Sequence, residues 1–198
     1  MKIRIGVMGS AQGPNVENQG SIKKAIEIGH YIAKKDCILV NGACPGLPDE
    51  AAYGAHQYGG MVLGVSPAFS EKEHIERYKS PKDYYDIILY TGMGLMERDI
   101  LNIRSSDAIV LLGGGVGTLN EFTVAYDEEK VVGVLVGSGG VSDHIDEVLK
   151  ICDREVTDFV VFDEDPKTLI EKVIEAIKTR PHPMLEDERV FRIKDQKN

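Results

Sequence analysis

Residues 111–122 read LLGGGVGTLNEF: Gly113, Gly114, Gly115 and Gly117 follow an apolar run directly, and Thr118 and Glu121 come next. Glycine admits positive φ and lets a ligand approach the backbone with no Cβ in the way. A helix opening after such a turn offers unpaired N–H groups and a partial positive charge, which suit a phosphate. The segment lacks the Gly-Lys-Ser/Thr ending of an ATP-type loop. It also follows the fifth expected strand rather than the first, unlike the usual dinucleotide turn. A tight strand-to-helix connection without a ligand is the alternative. Thr118 to Glu121 fits a capping box as well, with Thr118 as cap and Glu121 reaching back to its amide. Spacing does not choose between cap and catalyst, because both put Glu121 on the first helical turn. Upstream lies GMGLMERDILNIRSSD (92–107). Arg98, Asn102 and Ser105 fall at i, i+4 and i+7 on one helical face, and Met96, Ile100 and Ile103 form an apolar stripe on another. Alone, Arg98 reads as a surface arginine paired with a carboxylate, which contributes little.

The elements that must position these residues are legible in the pattern. Short runs rich in Val, Ile and Leu occur at 3–9, 37–41, 61–66, 86–90, 107–113, 131–137 and 159–162. They mostly do not alternate with polar residues, which predicts strands buried on both faces. Helical patterns separate them near 19–35, 48–58, 70–78, 93–105, 118–129, 141–152 and 166–178. This alternation predicts an α/β fold: a doubly wound, Rossmann-like, mainly parallel sheet of about seven strands flanked by helices. One nucleotide-binding domain over 1–180 is expected, with a charged C-terminal extension over 181–198. Ligands bind such sheets at the carboxyl ends of the strands. The candidate phosphate or nucleotide contacts there are Gly9 and Ser10 after strand one, and Gly42 and Gly46 after strand two. After strand five they are Gly114, Gly115, Val116, Gly117 and Thr118.

The chain has 198 residues, is 42% hydrophobic and carries a formal net charge of −9. That charge argues against a broad nucleic-acid footprint but leaves room for a local phosphate pocket. Cys37, Cys44 and Cys152 are scattered in no metal-ligand spacing, so no metal is expected, and core packing in a reducing compartment is. No stretch approaches the roughly 20 apolar residues of a membrane span, and the N-terminal apolar run is too short for a signal peptide. A cytoplasmic location with no membrane partner is expected. A pyridoxal-phosphate decarboxylase would need a lysine in the pocket. None of the three strand-end loops has one, and Lys130 precedes its strand. Cys44 reads as packed rather than nucleophilic, and His56 as a solvent-edge residue.

Residues 92–122 resemble the LONELY GUY family of cytokinin-activating phosphoribohydrolases. That family belongs to a wider Rossmann-like group in which many members carry a "lysine decarboxylase" label. Glu97-Arg98 match the start of the family's Glu-Arg-Lys segment, and Gly114 to Glu121 match its Gly-Gly-x-Gly-Thr-x-x-Glu motif. Gly113 stands where the motif has proline, and Asp99 where the segment has lysine. Gly42 to Pro48 depart from the family's glycine-dense loop. The resemblance implies hydrolysis of the N-glycosidic bond of a nucleoside 5′-monophosphate, with Arg98 and Glu121 catalytic and the glycine loop on the phosphate. It implies no required cofactor, and pairing into a homodimer or higher even oligomer through helices beside the site. The chain also resembles the molybdenum-cofactor carrier proteins in size and at Glu17-Asn18-Gln19. That leaves a second expectation: binding of a nucleotide monophosphate or pterin cofactor without turnover.

Overall fold

The computed structural model describes residues 1–180; the expected C-terminal extension lies outside the described residues. All seven expected strands form: β1 (Arg4–Gly9), β2 (Ile38–Asn41), β3 (Val62–Ser66), β4 (Ile87–Tyr90), β5 (Ala108–Leu112), β6 (Val131–Leu135) and β7 (Val160–Asp163). They pair in parallel throughout, in the order β4-β3-β2-β1-β5-β6-β7. β5 and β6 are buried at every position, as their unbroken Val, Ile and Leu runs require. β4 forms one edge and leaves Ile87 and Leu89 half exposed.

The chain builds outward from β1 to β4, returns to the centre at β5, and builds outward the other way. The strand order therefore reverses between β1 and β5, which are paired from Ile5↔Ala108 to Gly9↔Leu112. A crevice opens at such a reversal above the carboxyl ends of the strands. Among the described residues seven α-helices connect and flank the sheet: α1 (Gln19–Lys34), α2 (Leu47–Gln57), α3 (Glu71–Glu76), α4 (Gly94–Arg104), α5 (Val116–Asp127), α6 (Ile145–Ile151) and α7 (Pro166–Thr179). α1 packs on α2 and α7, while α4 packs on α5. Local signals fix several starts. Asn18 caps α1 by accepting from the Ser21 amide, and Asp165 caps α7 by accepting from the Thr168 amide, with Pro166 as the first helical residue.

Three expectations need correction. α5 starts at Val116, and its cap is Gly115, which makes no side-chain capping bond. Thr118 is therefore inside the helix and buried, and Glu121 is on the second turn, not the first. The capping box does not form, because the two preceding glycines complete the turn and bring Thr118 under Gly114. On α4, Arg98 is buried rather than solvent-facing, and Ile103 is buried while Met96 and Ile100 are exposed. Among the cysteines only Cys37 is a core residue; Cys44 is half-buried and Cys152 exposed. No described helix is long and apolar enough to cross a membrane.

Candidate functional site

The β5–α5 turn has a fixed half and an open half. Gly113 (φ 63) and Gly114 (φ 94) take left-handed backbone, and a Cβ on Gly114 would fall on the Thr118 side chain. Their amides are already engaged: Gly113 donates to Ser138 Oγ at 2.8 Å and Gly114 to Ser10 Oγ at 2.7 Å. Ser142 Oγ donates to the Gly113 carbonyl at 2.7 Å. Ser10 also accepts from Asn15 Nδ2 at 3.3 Å, so its hydroxyl is a strut between two loops. Beyond Gly114 the turn opens. Gly115, Val116 and Gly117 are exposed, and nothing lies within 4 Å of where a Cβ on Gly115 or Gly117 would sit. The amides of Val116, Gly117 and Thr118 have no partner among the described residues, and the first turn of α5 carries no acid. Unpaired amides at a helix start, with no acid beside them, are groups that an anion can engage.

One turn deeper, α4 meets α5 at a buried cluster of charge. Arg98, Asp99 and Glu121 are 6%, 5% and 8% exposed. Arg98 Nη1 donates to Asp99 Oδ1 at 2.9 Å and lies 3.9 Å from Glu121 Oε1. Asn120 Nδ2 donates to Asp99 Oδ2 at 3.4 Å. Gly42 makes room for this group, since a Cβ there would collide with the guanidinium. Burial, with Asp99 adding repulsion and Arg98 only partly offsetting it, pushes the Glu121 carboxyl up to about 8. Burial raises Asp99 as well, against the pull of Arg98 and Asn120.

The loop after β2 is packed rather than open. A Cβ on Gly46 would strike the Ser10 carbonyl, which accepts from the Leu47 amide at 2.9 Å. Gly9 is held against the Leu112 carbonyl, where β1 and β5 run side by side. Cys44 sits near Arg98 and Glu121, and burial pushes its thiol up to about 11, so it is not a thiolate at neutral pH. Lys130 donates to the Ser106 carbonyl at 2.7 Å, at the amino end of β5 and away from this crevice.

Of the sequence candidates, the structure ties Ser10 to the turn that carries Gly114 to Thr118, and sets Gly42 against Arg98, which lies 3.9 Å from Glu121. It gives Gly9, Gly42 and Gly46 close-packing tasks. Sequence reasoning missed the β6–α6 loop, Gly137 to Ser142, whose Ser138 and Ser142 hold the glycine turn from behind. The signal was there: GSGG follows a buried strand just as GGG does. That loop offers no second anion site, because Asp143 accepts from the amides of Gly137, Ser138 and Gly139. In the sequence Asp99 stands out only as a departure from a motif, yet it is the direct partner of Arg98. Among the described residues no group of His, Cys, Asp or Glu could hold a metal ion.

Chemically, the crevice offers free amides at one end and a carboxyl–guanidinium cluster at the other. Thr118 and Glu121 are three residues apart, about 4.5 Å of helix rise, and helical side chains lean back toward the amino end.

The chain is 29% identical over 137 residues to a probable cytokinin riboside 5′-monophosphate phosphoribohydrolase, LOGL9, of Oryza sativa subsp. japonica, covering 68% of this chain and 58% of that protein. It is 32% identical over 133 residues to an uncharacterized protein of Archaeoglobus fulgidus, covering 67% and 80%. Among solved structures, the molybdenum cofactor carrier protein of Chlamydomonas reinhardtii superposes with a TM-score of 0.70 at 31% identity, covering 90% of this chain and 100% of that one. The SLOG cluster4 family model matches residues 2–170, and the chain belongs to that family.

Proposed function

We propose that the protein hydrolyses the N-glycosidic bond of a nucleoside 5′-monophosphate, releasing the base and ribose 5-phosphate. The observation that carries this is the buried Arg98–Glu121 pair one helical turn beyond the free amides of Val116, Gly117 and Thr118. Those amides take the phosphate. Breaking the C–N bond builds positive charge on the ribose, and the Glu121 carboxylate stabilises that charge and takes a proton from the attacking water. Arg98 donates to a ribose hydroxyl or phosphate oxygen through N–H groups that Asp99 does not engage. The protein works in the cytoplasm on a small molecule, with no required metal or cofactor. Subunits pair through the α4 side, where Met96 and Ile100 are exposed apolar side chains. Light scattering is expected to show a dimer or higher even oligomer; only a 21.8 kDa monomer at micromolar concentration would contradict this.

A second reading has its own observation. The Asp99 carboxylate engages the guanidinium that would otherwise hold Glu121 ionised, a state that favours holding a ligand over cleaving it. Likeness to a molybdenum cofactor carrier along nearly the whole chain supports that reading, in which a phosphate-bearing pterin or nucleotide is bound without turnover. Assaying a panel of nucleoside monophosphates for free base and ribose 5-phosphate decides between the two. Release from at least one is expected. Tight binding with no release from any would leave the carrier reading.

A further inference from the structure

We propose that the crevice selects nucleoside 5′-monophosphates whose base carries a formal positive charge, such as pyridinium ribotides, over those with neutral bases. The inference rests on the nucleotide site proposed above and names its substrate class. It follows from a charge count. The cluster holds one guanidinium, Arg98, and two carboxyls, Asp99 and Glu121, all more than nine-tenths buried. Arg98 is within hydrogen-bond distance of Asp99 and 3.9 Å from Glu121, so both carboxyls share one cation.

The surrounding groups supply no second one. Asn120 is neutral. The Cys44 thiol and the Tyr85 hydroxyl are both raised by burial and uncharged at neutral pH, and Asp49 adds another acid nearby. Among the described residues Arg98 is the one cation acting on either carboxyl. Fully ionised, the cluster carries one negative charge in excess. An unbalanced charge away from water is costly, so the free protein covers it with a proton on the carboxyl pair. A cationic ring next to the anomeric carbon would do the same work, and a neutral base would not. The phosphate of the same ligand lies a turn away on the α5 amides, so its charge is met separately.

The reaction then balances without an acid for the leaving group. The C1′–N bond breaks with its electron pair passing to the ring nitrogen, which becomes a neutral base. Water adds its oxygen to C1′, and its proton leaves through Glu121 to solvent.

The test compares nicotinamide mononucleotide, a pyridinium, with its dihydro form, which has a neutral ring, using the full-length protein near neutral pH. Binding is followed by calorimetry in two buffers of different ionisation enthalpy, and base release by chromatography. The pyridinium is expected to bind at least about tenfold more tightly and to displace up to one proton from the protein, while the dihydro form displaces none. Asp99→Asn, checked for folding by circular dichroism, should reduce the preference to about threefold or less. Equal affinities in the wild type, or a preference unchanged in folded Asp99→Asn, would overturn the proposal. The wild-type comparison stands even if the variant does not fold. A clear preference with no base released would support this inference while contradicting turnover. Release from neutral-base nucleotides without preference would do the reverse.

Discussion

The helices α2 and α5 both begin at the carboxyl edge of the sheet after glycine-bearing loops, and of the two only α5 begins open. At α2, Leu47 donates to the Ser10 carbonyl, Pro48 has no N–H to give, and Asp49 and Glu50 both donate to the Gly46 carbonyl. Asp49 and Glu50 also put acid in the first turn, where the positive end of the helix would otherwise attract an anion. At α5 the first three amides have no partner among the described residues, the first turn has no acid, and the space around Gly115 and Gly117 is empty. Its acid, Glu121, is set one turn further in and buried. Glycine content is thus a poor guide to a phosphate site. What matters is which amides remain after the turn has satisfied its own needs, and where the nearest carboxylate stands.

The largest effect expected from this contrast concerns the cost of burying the α5 acid. Glu121 has an ordinary value of 4.5 and is raised to about 8 in the fold. Between those values the native state holds a proton that the unfolded chain releases, so stability falls as pH rises through that window. Glutamine has no such proton. Glu121→Gln should match the wild type near pH 4.5 and exceed it by on the order of 5 kcal/mol above pH 8. Denaturant unfolding of both proteins at pH 5 and pH 9 reads this. A variant equally stable or less stable at pH 9 would mean the carboxyl is not held against its ionisation.

A smaller effect should follow from making α5 resemble α2. Val116 is 83% exposed, so Val116→Asp removes almost no packing and places a carboxylate over the free amides. Thermal stability should stay level or rise slightly, by about 0.3–1 kcal/mol, because the acid faces the helix start. Affinity for a nucleoside monophosphate should fall about tenfold, or about 1.4 kcal/mol. Unchanged affinity would place the phosphate elsewhere.

Legibility in the sequence followed the same physical divide. β5 and β6 were readable because a strand buried on both faces must be apolar at every position, whatever surrounds it. The glycine turn was readable as a turn. Its helix start was displaced by two residues because Gly115 caps with backbone alone, while Thr118, which has the side chain of a cap, is turned inward under Gly114. Asp99 was not readable as Arg98's partner, because adjacent residues on a helix do not normally face each other. The pair forms because both side chains are buried where α4 meets α5, a tertiary fact. Ser138 and Ser142 reach Gly113 from 25 and 29 residues away, and only the parallel order β5-β6 brings them there.

The central claim is that Glu121 acts on the sugar rather than merely filling space beside Arg98. The most direct measurement is the pH profile of base release, wild type beside Glu121→Gln, with any nucleoside monophosphate the wild type cleaves. If the carboxylate stabilises the ribosyl cation, wild-type kcat/KM should rise with pH and level off above about 8, where the free protein's Glu121 ionises. Glu121→Gln should be slower by about 10²-fold or more and lose that rise, with nucleotide binding retained on the untouched α5 amides. Equal rates in the two proteins, or a variant that keeps the wild-type pH profile, would contradict the account.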